Sequence, residues 1–295
     1  MKTGRSDPPP RRATVALTLA VMSVFLPGPA HGENDCGSSI SQPTTNPEGV
    51  PSGVAEASGL VASQRYPGVG WAHQDSGHDA SLFALRFDEN GRALSMRKIP
   101  VVGAHNADWE DVSYHLGADG VGRLYVVESG DFGSRIVYEI EEPDPDTATT
   151  AQVLGRYRYS LPDRPTTVEA SFMFGDRLAL VTKNFPARVY LFEAPLSQER
   201  NNEPVFQGEL EDSNGISVAR LTSDGRHLVT ATHQILRVYR TTSPGTLAGF
   251  FSREPAHGAE VFPGDNVEAG DFLPAGDCRL LLVAETRTTY AVGTN

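Results

Sequence analysis

Short runs that alternate apolar and polar residues fill the chain beyond residue 50, with no long amphipathic helical pattern among them. Alternation with a period of two is typical of half-buried β-strands. Turn-forming pairs such as Asn90-Gly91, Asp119-Gly120 and Asp224-Gly225 separate many of the runs, and these pairs favour antiparallel hairpins. The pattern therefore predicts an all-β chain built from hairpins.

The hairpins recur with a common opening. Each opening is a polar residue followed by a short strand: Glu56 in EASGLVAS, Glu110 in WEDVSYHL, Glu169 in VEASFMF, Asn214 in SNGISVARL and Glu268 in VEAGDFL. Successive openings lie 54, 59, 45 and 54 residues apart. Repeats of this size with about four strands each are typical of β-propeller blades. We predict a β-propeller of five blades, with six blades, one of them irregular, as the alternative.

The last repeat ends after TTYAVGTN with only about three strands, so residues 33–50 are predicted to supply the missing strand and close the ring. Only two cysteines occur, Cys36 and Cys278. In an oxidising compartment they are predicted to form a disulfide that ties the N-terminal strand to the last blade.

Residues 1–32 have the features of a signal peptide. A basic start precedes the apolar run ATVALTLAVMSVFLPG, and Ala30-His31-Gly32 offers the small-x-small pattern of a cleavage site. A membrane anchor is the alternative, but the run is short and Pro27 interrupts it. We predict export of one domain, residues 33–295, to the periplasm or the extracellular space. The Arg11-Arg12 pair leaves both the general and the twin-arginine route open.

The net charge of the chain limits the classes of partner that it is predicted to bind. The chain has a net charge of −12, and removal of residues 1–32, which hold four basic and one acidic residue, makes it −15. Such a chain repels phosphate backbones and anionic lipid, so neither nucleic acid nor a membrane surface is predicted as a partner. A cation or a neutral small molecule fits this charge.

The first strand of each propeller blade lines the central channel, so the acidic openings are predicted to converge at one channel mouth although they lie far apart in sequence. Polar residues that end the second strands join them there. The predicted ligand-binding residues are Glu56, Asp75, Glu110, Asp111, Glu169, Lys183, Glu268 and Glu285. Lys183 is expected to lie near Glu169 as an ion-pair partner, with a contact to an anionic group of a ligand as the alternative.

Several segments carry a resemblance to a known family: EASGL, GWAHQDSGHDASLFAL, NADWEDVS, LYVVESGDFGSRIVYEIEEPDP and VEASFMFGDRLALVTK. They resemble exported bacterial β-propellers of mostly unassigned function, loosely related to propellers of the gluconolactonase and esterase-like phytase type. The resemblance covers most of residues 55–290 and implies the fold, but no reaction. The chain departs from the family at Glu128-Ser129-Gly130-Asp131-Phe132, where an Asp-x-Gly-Asp-Asn run is expected, and at Asn214 and Arg220, where an acid is expected.

Two chemical interpretations of the mouth compete. In the first, the site holds a hard cation such as calcium, which takes six to eight oxygen ligands. The candidate metal ligands are Glu56, Glu110, Glu169, Asn214 and Glu268. In the second, a bound calcium ion polarises a small ester, lactone or phosphoester while His73 or His105 acts as general base.

A third interpretation is structural. Buried carboxylates need hydrogen-bond donors, and Asp75, Asp108 and Asp111 are predicted to accept bonds from backbone amides or from the indoles of Trp71 and Trp109. A protein-interaction platform is a further alternative. We take binding of a small ligand or cation at the acidic mouth as the principal functional hypothesis, and calcium-dependent hydrolysis as its alternative.

Overall fold

Strands and turns account for almost all of the structure. A computed structural model describes residues 39–129, 135–162, 167–211, 213–241, 243–251, 254–260, 262, 264–273 and 278–294. These residues belong to one unit, Asn34–Asn295. Within the described ranges there is no α-helix, and only two short 3-10 helices form, Ser52–Val54 and Leu247–Phe250. The predicted all-β class is confirmed.

The described strands fall into five antiparallel units of four, and in units 1 to 4 each strand pairs with its neighbours in the chain. Unit 1 holds β2 (Ala57–Ala62), β3 (Val69–Gln74), β4 (Ser81–Phe87) and β5 (Ala93–Val102). Unit 2 holds β6 (Trp109–Leu116), β7 (Gly122–Glu128), β8 (Ile136–Glu141) and β9 (Ala151–Arg158). Unit 3 holds β10 (Val168–Phe174), β11 (Arg177–Thr182), β12 (Ala187–Leu191) and β13 (Val205–Leu210). Unit 4 holds β14 (Ile216–Leu221), β15 (His227–Thr232), β16 (Ile235–Arg240) and β17 (His257–Glu260). Unit 5 holds β18 (Val267–Phe272), β19 (Arg279–Ala284), β20 (Thr289–Gly293) and, from the start of the chain, β1 (Thr44–Asn46).

The N-terminal strand completes the last unit. β1 pairs antiparallel with β20, with Thr44 opposite Ala291, and the sheet order is β1-β20-β19-β18. The prediction that residues 33–50 supply the missing strand is therefore confirmed. A two-residue parallel ladder between β5 and β9 joins units 1 and 2 into one eight-stranded sheet.

Two sequence predictions fall on residues that the structure does not describe. The signal peptide (residues 1–32) and the Cys36 end of the disulfide lie outside the described ranges, so both stay predictions. Cys278 is described and buried. None of the described segments forms an apolar helix long enough to cross a membrane.

The first strands of the five units contact one another in a closed order. β2 contacts β6, β6 contacts β10, β10 contacts β14, β14 contacts β18, and β18 contacts β2. Apolar side chains fill the spaces between neighbouring units, in five clusters that each draw on two units. Trp71 of unit 1 and Trp109 of unit 2, for example, are fully buried in one cluster. The core is thus divided between the unit interfaces, and the first strands face one another.

One arginine joins these first strands. The guanidinium of Arg220, on β14, donates two hydrogen bonds to the Asp111 carboxylate of β6, at 2.9 and 2.8 Å. It also donates to the carbonyls of Leu60 on β2 and Ser171 on β10, at 2.9 and 2.7 Å. Its Nε lies 3.5 Å from Asp271 on β18. Arg220 and Asp111 are almost fully buried, so this paired charge connects all five first strands away from water.

Replacing Arg220 by Met is expected to lower the free energy of unfolding by about 3–5 kcal/mol, because Asp111 is then left as a buried charge without its cation. Urea unfolding measures the loss. Arg226→Met, an exposed arginine in the following turn, is the control and should change stability by less than about 0.5 kcal/mol.

Adding Asp111→Asn to Arg220→Met should recover part of the loss, because the unpaired buried charge is removed. An Arg220→Met variant as stable as the control would contradict the joining role of Arg220.

Candidate functional site

The same irregularity occurs near the start of every first strand. Pairing with the second strand shifts by one residue there, as in a β-bulge, and the skipped residues are Ser58, Glu110, Glu169, Ser217 and Glu268. A bulge re-aims the extra residue relative to the regular pleat. The five positions are therefore structurally equivalent, and three of them carry glutamate.

A cavity of about 650 Å³ lies where the first strands begin. We call it the acidic cavity; its lining is Glu56, Ala57, Ser58, Asp75, Asp108, Glu110, Thr167, Glu169, Lys183, His233, Glu268 and Glu285. Of the eight residues predicted for ligand binding, Asp111 alone is not in this lining. The residues that follow four of the second strands also form part of the wall, as the repeat pattern predicts for polar residues at those ends: Asp75, Lys183, His233 and Glu285.

Two repeat assignments made from the sequence need correction. Glu56 and Asn214 do not occupy the position of Glu110, because the bulges place Ser58 and Ser217 there. Glu56 lies on the rim with an exposed side chain, and its carboxylate is 2.8 Å from His78 Nε2. Asn214 is exposed and does not line the cavity. A bulge adds a residue that spacing alone does not reveal, so the sequence alignment was displaced by two or three positions.

Burial raises the pKa values of three carboxyl groups in the cavity. Burial, followed by the negative charge of Glu169, raises the pKa of Glu110 well above its ordinary value. Burial raises the pKa of Glu169 as well, although Lys183 opposes this shift. Burial, partly offset by Lys183, raises the pKa of Glu268 to about 7. The cavity therefore holds more acid than its single lysine neutralises, and part of that acid keeps its proton near neutral pH.

Lys183 forms the ion pair predicted from the sequence. Its Nζ lies 3.1 Å from Glu169 Oε2, just beyond the end of β11. Burial alone lowers the pKa of Lys183, but the negative charges of Glu169 and its neighbours outweigh that effect and raise it overall. The side chain thus stays an ammonium within the ring of acids.

His233 is a cavity residue to which the sequence assigned no role. It follows β15, and its Nδ1 lies 3.1 Å from Glu268 Oε1. Burial and the charge of Lys183 lower its pKa, which favours a neutral ring near pH 7. The signal available in the sequence was its place after the second strand of its repeat, the place that Lys183 occupies in the preceding one.

The two histidines predicted as general bases lie elsewhere. His73 is fully buried in β3, with Nδ1 3.2 Å from the Gln74 carbonyl and its ring 5.5 Å from that of Trp109. Burial lowers the pKa of His73. His105 is exposed, and its carbonyl accepts a hydrogen bond from the Trp109 indole. Neither ring lines the acidic cavity, so the structure does not bring either to the predicted site.

The structural interpretation fits Asp111 in particular. Its carboxylate accepts hydrogen bonds from the backbone amide and hydroxyl of Ser171 on the neighbouring unit, in addition to those from Arg220. The tryptophan indoles do not serve these acids as predicted. Trp71 donates instead to Glu142, which Tyr114 and Ser63 also contact. Buried carboxylates thus accept hydrogen bonds across unit interfaces, but the Trp71 indole donates to Glu142 and not to one of the predicted acids.

A second cavity, of about 600 Å³, lies at the opposite ends of the first strands. Charges of both signs line it, among them Asp176, Arg177, Arg220, Asp224 and Asp271. Because its charges balance more closely, it does not share the strong electrostatic preference of the acidic cavity for one sign of ligand.

The described side chains do not converge as a metal site requires. No group of three or more Asp, Glu, His or Cys side chains in the described ranges comes close enough together to hold one metal ion. Calcium takes six to eight oxygens at 2.3–2.6 Å in a typical site. The acids of the cavity are instead spread around its wall, with the ammonium of Lys183 among them. Calcium binding stays a prediction.

Comparisons with known proteins identify no family for this chain. No family model matches the chain, and no curated protein matches it. Among solved structures, the crystal structure of Chaetomium thermophilum Raptor matches with a TM-score of 0.40 and 10% sequence identity. That match covers 80% of this chain and 18% of the Raptor chain. The resemblance to exported bacterial propellers stays a prediction.

The raised pKa of Glu268 predicts that the free energy of unfolding falls as the pH rises. The unfolded chain loses this proton near pH 4.5 and the folded chain near pH 7, so this contribution to stability is present below pH 4.5 and is lost as the pH rises through 7. Glu268→Gln removes the ionisable group. The free energy of unfolding of the variant, minus that of the unmodified chain, should therefore be about 3 kcal/mol greater at pH 8 than at pH 4.

Urea unfolding at both pH values measures this gain. Glu141→Gln, an exposed glutamate on β8, is the control and should show no such change. An equal effect of Glu268→Gln at both pH values would contradict the shifted pKa.

Proposed function

We propose that the chain is an exported five-bladed β-propeller that binds small cations in its acidic cavity. Five four-stranded units, the closed order of contacts between their first strands and a core divided among five unit interfaces support the propeller. The apolar run near the N-terminus and the acidic net charge support export as a soluble protein.

The composition of the cavity wall supports cation binding most directly. Among the described residues, seven carboxyl groups and one lysine line the cavity. Burial and mutual repulsion raise the pKa values of Glu110, Glu169 and Glu268, and the attraction of a bound positive charge would lower these pKa values. The cavity volume of about 650 Å³ is in the range of small-molecule sites and exceeds what one ion needs.

Cation binding should raise the midpoint of thermal unfolding by several degrees, because a ligand that binds only the folded state at 100 times its Kd adds about 2.7 kcal/mol. The probes are calcium chloride, tetramethylammonium chloride and cadaverine dihydrochloride at pH 8, compared with sodium chloride at equal ionic strength. The rise should disappear in a Glu110→Gln, Glu169→Gln double variant.

A Glu141→Gln, Glu193→Gln double variant is the matched control, because both side chains are exposed and lie outside the cavity. It should keep the full response. If no probe exceeds sodium chloride, or if the response survives loss of Glu110 and Glu169, the proposed function is wrong.

Hydrolysis is a second candidate function, and the position of His233 favours it. A neutral imidazole 3.1 Å from a carboxylate, in a cavity that attracts cations, can act as a general base toward water beside a cationic ester. Water would attack the ester carbonyl carbon while His233 takes its proton. The carbon–leaving-group bond then breaks, and the proton passes to the leaving group.

Acetylthiocholine, a cationic thioester, is the probe for this second function. Its hydrolysis by the chain should exceed the buffer rate and fall about 100-fold in His233→Gln. His105→Gln, which alters an exposed histidine outside the cavity, should leave the rate unchanged. A rate equal to that of buffer, or one that His233→Gln does not alter, would contradict hydrolysis.

A further inference from the structure

The Glu110 side chain is largely buried, and its carboxyl group has no hydrogen-bond or ion-pair partner in the part of the chain that the structure describes. Only 8% of the residue is exposed, and it lines the acidic cavity. Among the described residues, no side chain or backbone amide forms a hydrogen bond or ion pair with this carboxyl group. By contrast, Lys183 Nζ forms an ion pair with Glu169 Oε2 at 3.1 Å, and His233 Nδ1 lies 3.1 Å from Glu268 Oε1, although it forms no hydrogen bond among the described residues. A buried polar group normally has a partner, so a ligand can supply the one that Glu110 lacks.

The neighbouring unit shows which partner such a carboxylate accepts. Glu169 occupies on β10 the bulge position that Glu110 occupies on β6, and β6 contacts β10. The partner of Glu169 is the primary ammonium of Lys183, carried on a flexible aliphatic stem. A second primary ammonium would meet Glu110 in the same chemical setting, through a charge-assisted hydrogen bond.

The distribution of acids indicates more than one positive centre. Glu110 on β6 and Glu268 on β18 both lie on strands that contact β2. The equivalent residue of β2 is Ser58, which has no charge and donates its hydroxyl to the Glu110 carbonyl. No three acids in the described ranges converge on a single point that would suit one metal ion. A cation that serves Glu110 and Glu268 together must therefore carry its charges apart, along a molecule that passes unit 1, where Glu56 and Asp75 also line the cavity.

We propose that the ligand of the acidic cavity is an aliphatic diammonium compound, with one ammonium donating to Glu110 and the other to Glu268. The inference rests on the proposed cation-binding function and specifies its ligand class. The cavity has room for such a chain, and Ala57, Ser58 and Thr167 are uncharged residues of its wall. Binding supplies the missing partner of Glu110 and places a full positive charge beside Glu268, which His233 in its neutral form does not provide.

Isothermal titration calorimetry of the full chain at pH 8 tests the ligand class. The probes are cadaverine, its monoamine analogue pentylamine, the uncharged 1,5-pentanediol and calcium chloride. Cadaverine should bind at least about tenfold more tightly than pentylamine, because the second ammonium adds a second charge-assisted bond. The diol should not bind, because it has the same length but no charge.

Variants locate the two contacts. Glu110→Gln and Glu268→Gln should each weaken cadaverine binding about tenfold, toward the affinity of pentylamine, while Glu141→Gln leaves it unchanged. Each change replaces a carboxyl group by an amide of similar shape, and thermal unfolding verifies that the variants fold. As a second readout, cadaverine titrations at pH 7 in phosphate and in Tris should differ in heat, because the bound ammonium displaces protons from the cavity carboxyls.

The outcomes separate the two proposals. If pentylamine or calcium binds as tightly as cadaverine, the diammonium inference is overturned while cation binding stands. If cadaverine binds but Glu110→Gln binds it equally well, the placement is overturned. If none of the cations binds, both the inference and the proposed function fail.

Discussion

The arrangement of the first strands depends on the buried guanidinium of Arg220. Its hydrogen bonds and ion contacts reach β2, β6, β10 and β18 from β14, and Asp111 supplies the compensating charge. In a water-excluded setting, such a network is stable only when its members meet in the correct geometry. The position of each first strand is therefore tied to the other four, and so is the position of every side chain that these strands direct toward the acidic cavity.

The repeated bulge directs equivalent residues of the first strands toward the acidic cavity. Each first strand skips one residue at the same place, and in three units that residue is a glutamate that faces the cavity. Because Arg220 holds the strands together, Glu110, Glu169 and Glu268 cannot separate to relieve their repulsion. Burial is the largest cause of their raised pKa values, and repulsion from neighbouring acids adds to it. A bound cation would relieve this electrostatic repulsion.

The sequence was sufficient for the features that local patterns encode. Alternation and Asn/Asp-Gly turns predicted the hairpins, and the incomplete last repeat predicted the pairing of the N-terminal strand with β20. Features that depend on contacts between residues far apart in the sequence could not be predicted from it. Arg220 and Asp111 lie 109 residues apart, and the sequence marked Arg220 only as a departure from a family pattern. The bulges displaced the assignments of Glu56 and Asn214, and the role of His233 depends on its distance from Glu268.

The ionisation of Glu110 is the most direct measure of whether the cavity binds cations. Carbon-13 labelling of the glutamate side chains, with Glu110→Gln to assign the signal, allows its carboxyl group to be titrated by NMR in the absence and presence of cadaverine. The account predicts a pKa well above the ordinary range in the free chain, and a clear fall when the cation binds. A Glu110 carboxyl group that titrates at its ordinary value, or does not respond to the cation, would contradict it.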